Sequence, residues 1–159
     1  MAEAAVAPDL VKGIGFDATC SLVVLDKAAR PLTISGSGDH QRNVIVWMDH
    51  RAIAEARDIN ATQHEVLRYV GGSISPEMEM PKLLWLKRFL KASFDSAGHF
   101  FDLADYLTFR ATGSFARSMC TVTCKWNYLA HERRWSAPYF ERIGLPDFCL
   151  LYTSPSPRD

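Results

Sequence analysis

Polar side chains able to bind a small polar ligand follow two apolar runs of the chain. Asp17, Thr19 and Cys20 come after residues 11–16, and Trp47 and Asp49 come after residues 44–46. A carboxylate is a strong hydrogen-bond acceptor, and threonine both donates and accepts. Ligands of α/β proteins bind at the carboxyl ends of strands. These residues therefore suit a small polar ligand, although Asp17 and Thr19 could equally bond the local backbone in a turn.

Further candidates lie later in the chain. Glu77 precedes an apolar helical stripe, and Lys125 stands between Cys124 and Trp126. A lysine provides a compact cation with three donors, but an exposed or snorkelling lysine explains the same pattern. Trp47 offers an apolar face on which a ring or carbon chain can rest. Asp49 suits a helix N-cap as well as a pocket, and the two roles are compatible.

The elements that would position these residues alternate between strand and helix. Apolar runs bounded by turn residues predict strands, and a 3.6-residue apolar period predicts helices. Such alternation predicts the α/β class. Strands are expected at residues 11–16, 22–25, 44–47 and 99–103, and helices at 51–57, 61–70, 80–90, 105–111 and 135–143, while 118–126 is ambiguous.

Composition and spacing exclude several classes of protein. A formal net charge of zero argues against a general binder of nucleic acid or anionic membranes. No apolar run approaches the roughly 20 residues of a membrane helix, and a cytoplasmic location with reduced thiols is expected. Residues 13–15 lack the third glycine of a dinucleotide fingerprint. Cys120, Cys124 and His131 do not have zinc-site spacing, and no metal site is expected.

Several longer motifs carry a family resemblance. They are Trp-Met-Asp-His-Arg at 47–51, Pro-Lys-Leu-Leu-Trp-Leu at 81–86, and Phe-Asp-Leu-Ala-Asp-Tyr-Leu at 101–107, which Ala-Thr-Gly follows at 111–113. Together with residues 13–26 they resemble the sugar-binding lobe of the FGGY carbohydrate kinases, in the ribulokinase-like branch. The resemblance runs from about residue 10 to residue 148. It implies an actin-like, ribonuclease-H-like fold, of which this chain holds an incomplete first domain at residues 1–148.

The resemblance also implies roles for individual residues. Thr19, Cys20 and Lys125 fall on sugar-contacting positions, and Glu77 falls where a relative places a substrate-contacting aromatic residue. Asp17, Trp47 and Asp49 belong to the same implied pocket. The small side chain of Cys20 leaves room for a pentulose or pentitol, with D-ribulose the expected substrate.

The remaining parts of such a kinase are expected outside these residues. ATP and Mg²⁺ bind mainly to a second lobe, and the catalytic aspartate lies near the junction of the two lobes, beyond residue 148. The chain by itself is therefore expected to be inactive and to bind neither ATP nor Mg²⁺, while a homodimer is one expected assembly of the full-length protein. The alternative is a non-catalytic sugar-binding or interaction module.

Residues 149–159 differ in character from the rest. No helical or strand period runs through them, and Pro155 and Pro157 disfavour regular structure. The segment resembles the translation of a sequencing-library adapter, which would make it and Cys149 non-native. A genuine disordered C-terminus has the same Ser/Pro composition.

Overall fold

A computed structural model describes residues 6–148, and its centre is a three-stranded antiparallel sheet. Strand β1 (Leu22–Asp26) lies between β2 (Val44–Ile45) and β3 (Ala97–Asp102). Leu22 pairs with Ile45 on one side and with Asp102 on the other. The start of β1 and the ends of β2 and β3 therefore meet at one edge of the sheet.

Helices surround this sheet in the part of the chain that the structure describes. Their bounds are α1 (Ile53–Ala61), α2 (Glu79–Phe89), α3 (Lys91–Ser96), α4 (Leu103–Thr112), α5 (Met119–Trp126) and α6 (Ala137–Arg142), with 3₁₀ turns at Pro8–Leu10 and Glu65–Val70. Within residues 6–148, none of these helices has the length and apolar character needed to span a bilayer.

Local sequence signals explain where several helices begin and end. Asp102 and Ser118 cap α4 and α5, since their side chains accept hydrogen bonds from the backbone N–H groups of Ala104 and Cys120. Gly113 ends α4 in the left-handed conformation, with a φ of 72°. Asn127 ends α5 in the same way, with a φ of 59°.

The two faces of the sheet bury separate apolar clusters. Side chains alternate across β1, so Leu22 and Val24 face one layer while Val23 and Leu25 face the other. The larger cluster joins the first face to α1, α2, α5 and α6. In the smaller cluster Phe101 packs beside Tyr106 and Phe109, which lie on α4. The sheet is therefore covered on both sides.

Most predicted elements are present, three expectations need correction, and one ambiguous segment is resolved. The strand predicted at residues 11–16 is wrong, because these residues are exposed and pair with no other strand of residues 6–148. Asp49 does not cap α1, since its carboxylate accepts a hydrogen bond from the Arg51 N–H instead. The helix predicted from residue 61 is a shorter 3₁₀ turn with His64 at its cap. The ambiguous segment at 118–126 is helical.

Gly98 marks a place where two backbones approach too closely for a side chain. The β1–β3 register shifts beside Asp26, and a Cβ at Gly98 would lie 2.7 Å from the Lys27 nitrogen and 2.8 Å from the Asp26 oxygen. We expect Gly98→Ala to lower the free energy of unfolding by roughly 1–3 kcal/mol, because the backbone must move. Urea unfolding of the chain measures this.

Gly36→Ala is the matched control for that substitution. A Cβ at Gly36 meets no atom within 4 Å, so we expect its midpoint to stay close to that of the wild type. Equal midpoints for the two variants would contradict the proposed close approach.

Candidate functional site

A pocket of about 550 Å³ opens at the sheet edge where β1 begins and β3 ends. It lies between the segment before β1 and helices α4 and α5. Its lining mixes polar and apolar residues and consists of Phe16, Asp17, Ala18, Cys20, Asp102, Ala104, Asp105, Thr108, Ser118, Cys120, Thr121, Cys124 and Lys125. The volume and the mixture of donors and acceptors fit a small polyhydroxylated molecule.

Asp102 and Cys20 lie together at the inner side of the pocket. Asp102 is 1% exposed, and burial raises its pKa to about 6. Burial also raises the pKa of the Cys20 thiol to about 11, with the charge of Asp102 adding to the effect. Cys20 is therefore a neutral thiol near pH 7, which suits a spacing role and not a nucleophilic one.

Asp105 fixes the opposite wall, which is formed by α5. Its carboxylate accepts hydrogen bonds from the Ser118 N–H at 2.9 Å and from the Thr121 hydroxyl at 2.7 Å. These bonds tie the first turn of α5 to α4. Lys125 lies near the end of α5 and also lines the pocket, so this tie sets the position of its ammonium group.

A buried ion pair lies at the start of α2 and acts electrostatically on the pocket. The Glu79 and Lys82 side chains are 0% exposed, and the Lys82 Nζ lies 3.7 Å from a Glu79 carboxylate oxygen. Among the described residues, neither group has a hydrogen-bond partner. Burial raises the pKa of Glu79 and lowers that of Lys82, while Asp102 and Lys125 are close enough to influence both.

The structure brings three of the seven predicted site residues into the pocket. Asp17, Cys20 and Lys125 line it. Thr19 is exposed on the same segment, with its hydroxyl 3.4 Å from the Ser21 hydroxyl.

Trp47, Asp49 and Glu77 lie outside that lining. The backbone N–H of Trp47 donates a hydrogen bond to the Ser21 hydroxyl at 3.2 Å, so Trp47 lies at the same end of the sheet as the pocket. Asp49 pairs with Arg51 at 2.6 Å, and this hydrogen bonding lowers the pKa of Asp49. Glu77 contacts His50 at 3.0 Å.

Sequence reasoning missed Asp102, Glu79 and Lys82 as residues of this region. Asp102 caps α4, and a residue that serves as a cap gives no separate signal for a second role. Glu79 and Lys82 did leave a signal. An acid and a base three residues apart within an apolar helical stripe predict a buried pair, because the helix turns both to one face.

Comparison with solved structures identifies the fold. The crystal structure of a xylulose kinase from Brucella ovis superposes with a TM-score of 0.70 at 24% identity, covering 93% of this chain and 28% of that one. The fold is that of the first domain of an actin-like sugar kinase.

Comparison of sequences identifies the family. The FGGY family of carbohydrate kinases, N-terminal domain, matches residues 1–153. A human FGGY carbohydrate kinase domain-containing protein is 55% identical over 139 residues, covering 87% of this chain and 25% of that protein. A D-ribulokinase of Saccharomyces cerevisiae is 44% identical over 152 residues, covering 91% of this chain and 21% of that protein. This chain belongs to the FGGY family of carbohydrate kinases, and it spans about a quarter of these relatives' length.

The buried pair predicts how Lys82→Met changes stability. Removing the ammonium leaves Glu79 as an uncompensated buried acid, and we expect a loss of roughly 3–5 kcal/mol. The loss is larger at pH 8 than at pH 5. A carboxyl with a raised pKa in the folded state favours folding at low pH, and that contribution is lost as pH rises through the folded pKa. Unfolding at both pH values measures this.

The double variant Glu79→Gln/Lys82→Met is the control for that effect. Because it removes both charges, we expect it to recover most of the stability and to lose the added pH dependence. A single variant as stable as the double variant at pH 8 would show that the pair does not hold the charge assigned to it.

Proposed function

We propose that this chain is the sugar-binding part of an ATP-dependent kinase that phosphorylates a pentulose or pentitol, with D-ribulose the first candidate. The observation that carries the proposal is the pocket, in which Asp17, Cys20 and Lys125 meet within the fold of this family. Lys125 donates hydrogen bonds and Asp17 accepts them, which suits successive hydroxyls of one carbon chain. The small Cys20 side chain leaves space for a five-carbon ligand.

The other predicted residues would form a rim beside the pocket. Thr19 lies next to Cys20 in the chain, while the backbone N–H of Trp47 donates a hydrogen bond to the Ser21 hydroxyl. Asp49 and Glu77 are held by Arg51 and His50. We propose that these four residues contact the parts of the substrate that extend beyond the pocket.

We propose that ATP with Mg²⁺ does not bind to the described residues. Residues 6–148 contain no group of three or more His, Cys, Asp or Glu side chains placed to hold a metal ion. Two carboxylates at the pocket also have structural roles, since Asp105 bonds α5 and one oxygen of Asp102 caps α4. We therefore propose that ATP and Mg²⁺ bind to a second lobe of a longer protein. A cytoplasmic location is part of the same proposal.

The complete protein encoded by the gene tests the proposed activity. We expect ATP-dependent phosphorylation of at least one compound among D-ribulose, xylulose, ribitol and arabitol, measured by coupled release of ADP with a no-sugar control. Sequencing the source DNA on both sides of this reading frame first establishes that complete protein. Binding of these compounds without phosphate transfer would favour the non-catalytic sugar-binding module instead.

The 159-residue chain alone provides a second test. Phosphoryl transfer requires positioning and charge neutralisation around the phosphates, and we propose that these come from a second lobe. We expect no ATP turnover by the purified chain and weak binding of pentuloses, measured by ADP release and by ligand-observed NMR. Turnover above the rate of a blank preparation would contradict the assignment of ATP to a second lobe.

A further inference from the structure

Asp102 has a carboxylate oxygen that no described residue satisfies. Its Oδ1 accepts a hydrogen bond from the Ala104 N–H at 3.4 Å, while its Oδ2 is buried without a hydrogen-bond partner among the described residues. The Cys20 thiol lies close enough to donate to Asp102, but a thiol is a weak donor and does not replace a hydroxyl. Leaving a buried acceptor unpaired costs free energy. A ligand hydroxyl that donates to this oxygen would remove that cost.

The position of Asp102 allows such a contact. It lines the pocket together with Cys20 and Lys125. Its backbone is fixed on both sides, because it pairs with Leu22 in the sheet and begins α4. The backbone of Asp102 is therefore ordered before a ligand arrives, which lowers the entropic cost of binding.

The charges around the pocket indicate which ligands it admits. Three carboxyl groups line the pocket, those of Asp17, Asp102 and Asp105, and they outnumber the basic groups, which are represented in the lining by the ammonium of Lys125. Ionised carboxylates repel an anionic ligand at short range in a partly buried site. An uncharged polyol avoids this repulsion and can donate hydrogen bonds to the same oxygens.

We propose that Asp102 is a ligand-binding residue, whose carboxylate accepts a hydrogen bond from a hydroxyl of the bound sugar and favours uncharged polyols over sugar acids and sugar phosphates. The inference rests on the proposed function, since it concerns the same pocket. It adds a specific acceptor and a charge preference that the cap role of Asp102 does not require.

Asp102→Asn separates the two roles of this residue. Asparagine caps a helix as well as aspartate does, so α4 is retained. The acceptor facing the ligand becomes an amide with no net charge. We expect the Kd for D-ribulose or ribitol to rise about tenfold to a hundredfold, as for loss of a hydrogen bond to a charged group. The melting temperature is expected not to fall, because a costly buried charge is removed.

Two further variants complete the test, which uses calorimetric titration of the complete protein. Asp102→Ser also keeps a capping group but is too short to reach the ligand, so it should weaken binding as Asp102→Asn does. Asp95→Asn is the control, because Asp95 is an exposed residue of α3 that pairs with Lys91 at 2.6 Å, and its Kd should match the wild type. We also expect Asp102→Asn to lose discrimination against D-ribonate.

The outcomes separate this inference from the proposed function. Wild-type affinity in both Asp102 variants would show that Asp102 serves only the structure. Wild-type protein that binds neither D-ribulose nor ribitol would reject the inference and the proposed function together. Wild-type protein that binds the sugar but transfers no phosphate would reject only the proposed kinase activity. The ratio of the Kd values of Asp102→Asn and the wild type would still decide the role of Asp102.

Discussion

The pairing of β1 with β3 determines both the core and the pocket. Leu22 lies opposite Asp102, and the same register places Val23 opposite Phe101. A slip of one residue would move every side chain of one strand to the other face. It would expose part of both apolar clusters and would also separate Asp102 from Cys20. The burial of the apolar residues and the placement of the polar residues at the pocket thus depend on the same register of β1 and β3.

Buried charge is concentrated next to the pocket. Glu79 and Lys82 are fully buried, and Asp102 is nearly so, while the atoms that carry their charge lack full hydrogen bonding among the described residues. Such groups cost free energy compared with apolar side chains of similar size. Stability alone does not explain them at this position. Groups that are already oriented beside a pocket need not reorganise when a ligand arrives.

The sequence predicts the regular elements better than it predicts the site. The apolar stripe of α2 and the glycine after α4 identify those helices, because both signals are local. The prediction of a strand at residues 11–16 is wrong for a non-local reason. A strand requires a neighbouring strand to satisfy its backbone groups, and no described strand lies beside these residues. Asp102 could not be recognised either. Its cap role already accounts for a polar residue at this position, and only the register of β3 shows that it also lies at the pocket.

The candidate site combines residues held by regular elements with residues on an irregular segment. Cys20 and Asp102 adjoin the ladder between β1 and β3, and Lys125 lies on a helix tied to α4 through Asp105. Asp17 and Thr19 are instead exposed on a segment without regular structure. A substitution at one of the first three residues changes the packing around it, whereas one on the irregular segment changes little beyond its own contacts. The positions of Cys20, Asp102 and Lys125 are therefore coupled to the core, whereas those of Asp17 and Thr19 are not.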